Sequence, residues 1–289
     1  MISLAGQTAI ITGANQGLGK VLSQIFWQAS ANVVMCARNE NMLASAHHEI
    51  LERSCDGHER LSYLPGDVSI VESTKSIVDF TLKKYGSIDI LINNAGVYGP
   101  KGCLEDVDWQ EWKTAIEINL YGPVLMCRAI LPHFKKKGKG KIINLSGGGA
   151  TAPLPRLSAY AAAKTALVRL TETLAVECMD VGIDINAIAP GALNTRLLDE
   201  ILEAGPEKVG QTFYDRSVKQ KSEGGASMET AAALCLYLAS SDSDGITGKL
   251  LSSLWDPWQD LSKHLEKLRS TDIYTLRRIV PEDRHEDWQ

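Results

Sequence analysis

Short apolar runs alternate along the chain with longer segments whose apolar residues recur every three or four positions. The runs fall at residues 8–12, 32–37, 61–64, 88–92, 141–145, 183–188 and 246–251. Runs of this length without polar alternation suit strands buried on both faces of a parallel sheet. Helical periodicity is expected from the glycine-rich stretch after residue 12 through Ala29, and over 41–54, 69–85, 112–131 and 157–179. Val71, Ile77, Val78 and Leu82 fall near one helical face, and Leu167, Leu170 and Leu174 form a buried stripe on another. The rhythm predicts an α/β fold: a doubly wound parallel sheet of the Rossmann type, helices on both faces, in a single domain over 1–251.

Two segments fit this rhythm less well. Residues 196–226 read as irregular, with scattered charge, Gly205-Pro206 and Gly224-Gly225. Ser227 then caps a further helix in which Ala231, Leu234, Cys235 and Leu238 share a face. Residues 252–289 form a C-terminal extension. In it Trp258, Leu261, Leu265 and Leu268 make one apolar stripe on a short helix. That stripe packs on its own subunit, docks on a neighbouring one, or closes over a substrate as a lid. Arg277, Arg278 and Arg284 suit a carboxylate or phosphate; a solvated or salt-bridged segment is the favoured reading.

Composition narrows the function classes. With 289 residues, 44% of them hydrophobic, the chain can bury one large core. A net charge of −5 gives no basic excess for nucleic acid. The five lysines in 135–141 lie between a helix and a strand and read as a solvated turn. No two of the six cysteines have C-x-x-C spacing, which predicts a reducing compartment, no disulfide framework and no metal site. The N-terminus lacks a signal-peptide pattern, and the apolar runs are too short to span a bilayer. A cytoplasmic protein with no membrane partner is expected.

The chemistry concentrates in a few stretches. Tyr160 and Lys164 are four apart on a predicted helix and share a face. An ammonium beside a phenol favours the tyrosinate, which would bring the Tyr160 pKa toward working pH. Thr12-Gly13-Ala14-Asn15-Gln16-Gly17-Leu18-Gly19 joins the first strand to the first helix. Its glycines permit a tight turn, and the helix offers its positive end to a pyrophosphate. The second strand ends in Ala37 with no carboxylate for a ribose 2′-hydroxyl, and Arg38 follows. An arginine there can take a 2′-phosphate, which favours NADP(H) over NAD(H); the alternative is a plain surface arginine. Asn93-Asn94-Ala95-Gly96 after the fourth strand offers amides to backbone or cofactor.

These motifs, with Asp67-Val68, Asn119 and Pro190-Gly191, stand in the order and at the intervals of the short-chain dehydrogenase/reductase family. Over about residues 4–250 the chain resembles that family's single-domain members. The resemblance implies an NADP(H)-dependent oxidoreductase acting on a small carbonyl or alcohol substrate, commonly as a homodimer or homotetramer. It implies that Gly13, Gly17 and Gly19 shape the pyrophosphate loop, that Asp67 and Val68 meet the adenine, and that Asn94 lines the cofactor. Pro190 and Gly191 would approach the nicotinamide, and Thr195 its amide or phosphate. Tyr160 would be the general acid/base. Lys164 would hold the ribose, and Asn119 would join a proton relay unless it only satisfies a kink.

At one position the chain departs from that pattern. The family usually carries a serine thirteen residues before the tyrosine, where this chain has Gly147. Ser146, a backbone N–H of Gly147 or Gly148, or Ser158 would have to steady the substrate oxygen. The departure and the tail also motivate a second reading, a cofactor-binding regulatory or assembly protein with little catalysis.

Overall fold

The apolar runs pair side by side because each is hydrophobic on both faces and must be covered twice. The computed structural model describes residues 2–53 and 56–288. Its strands are β1 (Thr8–Thr12), β2 (Asn32–Ala37), β3 (Leu61–Pro65), β4 (Ile90–Asn93), β5 (Gly140–Leu145), β6 (Ile183–Ala189) and β7 (Leu250–Ser252). All pair in parallel, in the order β3-β2-β1-β4-β5-β6-β7. The chain winds outward from β1 to β3, then returns to β4 and winds the other way. The crevice beyond the carboxyl ends of β1 and β4 is therefore the switch point where such sheets bind ligands.

The helices are α1 (Gly17–Gln28), α2 (Glu40–Leu51), α3 (Val71–Tyr85), α4 (Trp109–Ile116), α5 (Gly122–Lys137), α6 (Ser158–Glu177), α7 (Arg196–Val209), α8 (Gln211–Glu223), α9 (Met228–Ala239) and α10 (Leu265–Ser270). Leu22, Phe26, Leu43 and Leu234 seal one face of the sheet, and Ile77, Ile130 and Phe134 the other. The predicted helix over 41–54 ends within the described residues at Leu51; Ser54 and Cys55 lie outside them. The five described cysteines are free.

Several expectations are corrected. Residues 196–226 are largely helical. Leu198, Ile201 and Val209 bury one side of α7, and Gly205, at φ 78°, only kinks it. Pro206 is tolerated because it opens the turn after the kink, where its missing N–H has no partner to lose. Val71 is exposed at the start of α3, off the buried face. Of the lysines in 135–141, Lys141 is buried, with Nζ 2.7 Å from both Asp184 and Asp244. The expected helix 112–131 extends from Trp109 to Lys137 through a π-helical turn, Glu117–Tyr121. That run is long and apolar enough to cross a membrane. Here Ile118, Met126, Ile130 and Phe134 bury its apolar side against the sheet.

The tail stripe packs on its own subunit. Trp258, Leu261 and Leu268 join the core, and Trp258 meets Tyr237 at 5.8 Å between ring centroids. Core charges fasten the segment after α10. Lys249 Nζ donates to the Thr271 and Ile273 carbonyls, Glu172 accepts from Leu276 N, and Leu250 N donates to Tyr274 O along the edge of β7.

Candidate active site

The loop after β1 owes its shape to glycine. Gly13 sits at φ 64°, and a Cβ there would stand 2.8 Å from Ala95 Cα. Asn94 closes the same turn: its Nδ2 donates to Thr12 O (2.9 Å) and Gly13 O (3.2 Å). Thr12 Oγ1 accepts from Asn94 N and Ala95 N. Asn94 thus spends its amide on the loop itself. Behind it, Asn93 Nδ2 donates to Asn144 Oδ1, and Asn144 Nδ2 to Thr171 Oγ1, each at 2.8 Å. This buried ladder ties β4, β5 and α6 together. In the sequence it shows only as an asparagine near the end of each of two apolar runs, which the strand register sets side by side.

A cleft of about 1180 Å³ opens at the switch point. Every residue assigned to the cofactor in the sequence borders it, from the glycine loop through Arg38, Asp67 and Val68 to Pro190, Gly191 and Thr195. The N-terminus of α1 has no side-chain cap and no acidic residue in its first turn. Its free N–H groups and positive dipole end suit an anionic pyrophosphate. Thr195 Cγ2 is 3.4 Å from where a Cβ of Gly17 would stand, so the turn after β6 closes onto the glycine loop. Arg38 is half-exposed, with NH1 3.9 Å from Asp67 Oδ2. Asp67 Oδ1 accepts from Ser69 N and Oγ, which leaves its other oxygen toward the cleft. These donors and glycines fit a dinucleotide.

Tyr160 and Lys164 stand on one face of α6 as their spacing requires, 9% and 4% exposed. Lys164 Nζ lies 5.6 Å from the Tyr160 ring centroid and donates to Leu145 O at 2.8 Å. The electrostatics differ from the sequence expectation. Burial, then the neighbouring Tyr98, pushes the Tyr160 phenol up, and burial lowers Lys164 to about 8. Desolvation opposes both charged forms, so it outweighs the lysine's pull on the phenol. Asn119 is wholly buried one layer behind, held in the π-helical turn. Its Nδ2 donates to Val97 O and Ala115 O, and its Oδ1 accepts from Val97 N. A Cβ on Gly96 would stand 2.9 Å from Asn119 Oδ1 and 3.6 Å from Lys164 Nζ. The glycine therefore leaves the gap between them open.

Gly147 is extended and touches Tyr160. A Cβ there would fall well inside contact distance of the phenol oxygen and 3.2 Å from Cζ. Ser146 borders the cleft, yet its Oγ is buried and has no hydrogen-bond partner among the described residues. Ser158, the third candidate donor, accepts from Trp112 Nε1.

Sequence reasoning missed the cleft's apolar end, where Tyr98, Leu154, Ile201 and Phe213 gather around Tyr160. Leu198 and Ile201, three apart on a helical face, were the available signal. Trp255 and Asp256 from the tail reach the rim. The tail arginines do not border the cleft. Arg277 pairs with Asp272 and Asp283, and Arg278 flanks the outer face of α6.

The sequence profile of short chain dehydrogenases matches residues 7–205. Dehydrogenase/reductase SDR family member 4 of Caenorhabditis elegans is 31% identical over 247 residues, covering 85% of this chain and 93% of that protein. The crystal structure of levodione reductase superposes with a TM-score of 0.78 at 27% identity, over 90% of this chain and 98% of the other. A 3-ketoacyl-(acyl-carrier-protein) reductase from Brucella melitensis, complexed with NADH, is 29% identical with a TM-score of 0.75. It aligns with 86% of this chain and 97% of its own.

Proposed function

The chain belongs to the short-chain dehydrogenase family, and from that premise we propose an NADP(H)-dependent carbonyl reductase or alcohol dehydrogenase that uses Tyr160 as its general acid/base. Membership makes it an NAD(P)-dependent oxidoreductase; the preference, the residues and the substrate class are our reading. The observation that carries it is the placing of Tyr160. The phenol stands where the glycine-loop end of the cleft meets the apolar end, with Lys164 one helical turn away.

When bound, the nicotinamide supplies or accepts the hydride. The chain's own groups handle the oxygen. Burial keeps the Tyr160 phenol protonated, ready to donate to a developing alkoxide. Lys164 keeps two N–H donors beyond its bond to Leu145 O, enough to hold a ribose hydroxyl. Its charge, present below about pH 8, eases proton loss from Tyr160 in the oxidative direction. Asn119, bonded to Val97 and Ala115, keeps the π-helical turn open beside Lys164, where a water can carry the proton onward. Arg38, with no carboxylate at the end of β2, takes the 2′-phosphate.

The substrate end has Tyr98, Leu154, Ile201 and Phe213 as its walls. This favours a neutral molecule with an apolar body over a phosphorylated or carboxylated sugar, since Arg277 is neutralised elsewhere. The test is NADPH and NADH oxidation against neutral and anionic carbonyl compounds. Expected are a preference for NADPH and for neutral ketones. Tyr160→Phe should lose about 1000-fold or more in turnover while still binding NADPH. Full turnover by Tyr160→Phe would sink the mechanism.

A further inference from the structure

The missing side chain at 147 leaves the substrate oxygen one hydrogen-bond donor short. We propose that Tyr98 supplies it, donating its hydroxyl to the oxygen that Tyr160 protonates. The inference rests on the reductase reading above and goes beyond it by naming a second catalytic hydroxyl.

Elimination among the side-chain hydroxyls is the first line of support. Position 147 carries no hydroxyl in this chain, and the Tyr160 oxygen stands in the space that a Cβ there would take. Ser146 borders the cleft, but its Oγ is shut off from solvent where it stands and so offers the cleft no donor. Ser158 Oγ is taken by Trp112, and Ser217 Oγ donates to Phe213 O. Thr151 borders the cleft but is exposed, so water competes for it.

Geometry is the second. Tyr98 follows Gly96 by two residues, on the loop that leaves β4, and borders the cleft. Its ring meets Tyr160 edge-on, with centroids 4.8 Å apart and planes at 71°. Two phenols thus stand side by side at the apolar end of the cleft, and neither hydroxyl bonds to any described residue. Burial and the nearby Glu200 carboxylate both hold the proton on Tyr98, which keeps it a donor. A preorganised donor in an apolar pocket acts where charge develops on the substrate oxygen.

The experiment compares Tyr98→Phe, Ser146→Ala and Gly147→Ser with the unaltered chain, on a neutral ketone that the chain reduces with NADPH. Tyr98→Phe keeps the ring and its packing. It is expected to lower kcat about 100-fold with NADPH affinity and melting temperature unchanged. Ser146→Ala should stay within about twofold of the unaltered rate. Gly147→Ser, which restores the family's usual residue, should lower the rate, because the new Cβ displaces the phenol. Tyr98→Phe with an undiminished rate, or Ser146→Ala with the larger loss, would overturn the proposal. Retained turnover by Tyr160→Phe would instead remove the reductase mechanism beneath it, so the two failures are distinguishable.

Discussion

The wall of the cleft formed by the glycine loop is fixed by bonds to backbone, whereas the wall formed by α7 and α8 is held mainly by side chains. On the first, Asn94 and Thr12 together make four bonds that lock the turn, and Ala14 N donates to Cys36 O on β2. On the second, α7 is interrupted at Gly205 and joins α8 through the single residue Gly210. The exposed pair Lys221–Asp199 joins α8 to α7, and Gln220 Nε2 donates to Asn194 Oδ1 in the turn before α7. Exposed pairs of this kind contribute roughly 0–1 kcal/mol each. One end of the cleft is rigid and polar, the other apolar and adaptable. A dinucleotide needs fixed donors at fixed distances, while an apolar substrate body needs only a dry surface of the right size.

The contrast can be broken most severely at Gly13. Gly13→Ala forces a side chain into a left-handed conformation and against Ala95. A strain of about 2–3 kcal/mol corresponds to a loss of cofactor affinity near 100-fold, measured by NADPH fluorescence titration. Unchanged affinity would show that the loop is as adaptable as the opposite wall.

Lys164 sharpens the comparison through stability. Its folded pKa, about 8, lies below the ordinary 10.5. Between those values the unfolded chain holds a proton that the folded chain has released, so stability rises with pH across that window. Below about pH 8 the fold carries the buried charge at a cost of about 3 kcal/mol. Lys164→Met should therefore be more stable than the unaltered chain at neutral pH, by up to that amount, and should lack the alkaline rise. Denaturant unfolding from pH 7 to 10 reads both, and a less stable Met variant contradicts the account.

The smallest effect is expected at the adaptable wall. Phe213→Ala should raise KM for a neutral ketone by up to about tenfold and leave NADPH affinity alone. A change in NADPH affinity would mean that the two walls are coupled.

Legibility in the sequence follows the same division. The seven strands and their helices were readable because burial on both faces writes itself as unbroken apolar runs. That the glycine loop, Arg38, Asp67 and Thr195 border one cleft agrees with an expectation drawn from local spacing for the loop and Arg38 and from the family resemblance for Asp67 and Thr195. Residues 196–226 were not readable. Gly205-Pro206 reads as a breaker, and only packing against Leu154 and Tyr160 makes the flanking segments helical. The role of the tail stripe stayed open for the same kind of reason: its periodicity says that it must be covered, not by what.

The sequence by itself determined the strands of the sheet, the glycine loop after β1 and the pairing of Tyr160 with Lys164 on one helical face, since each depends on local spacing. The tertiary structure alone decided how buried those two groups are, and hence that desolvation raises the phenol and lowers the lysine. It also decided that the Tyr160 oxygen fills the space at Gly147 and that Tyr98 stands beside it. The spacing of 147 and 160 is local, but Tyr98 lies far before Tyr160 in the chain and meets it only when β4, β5 and α6 pack, so no local pattern recorded that contact.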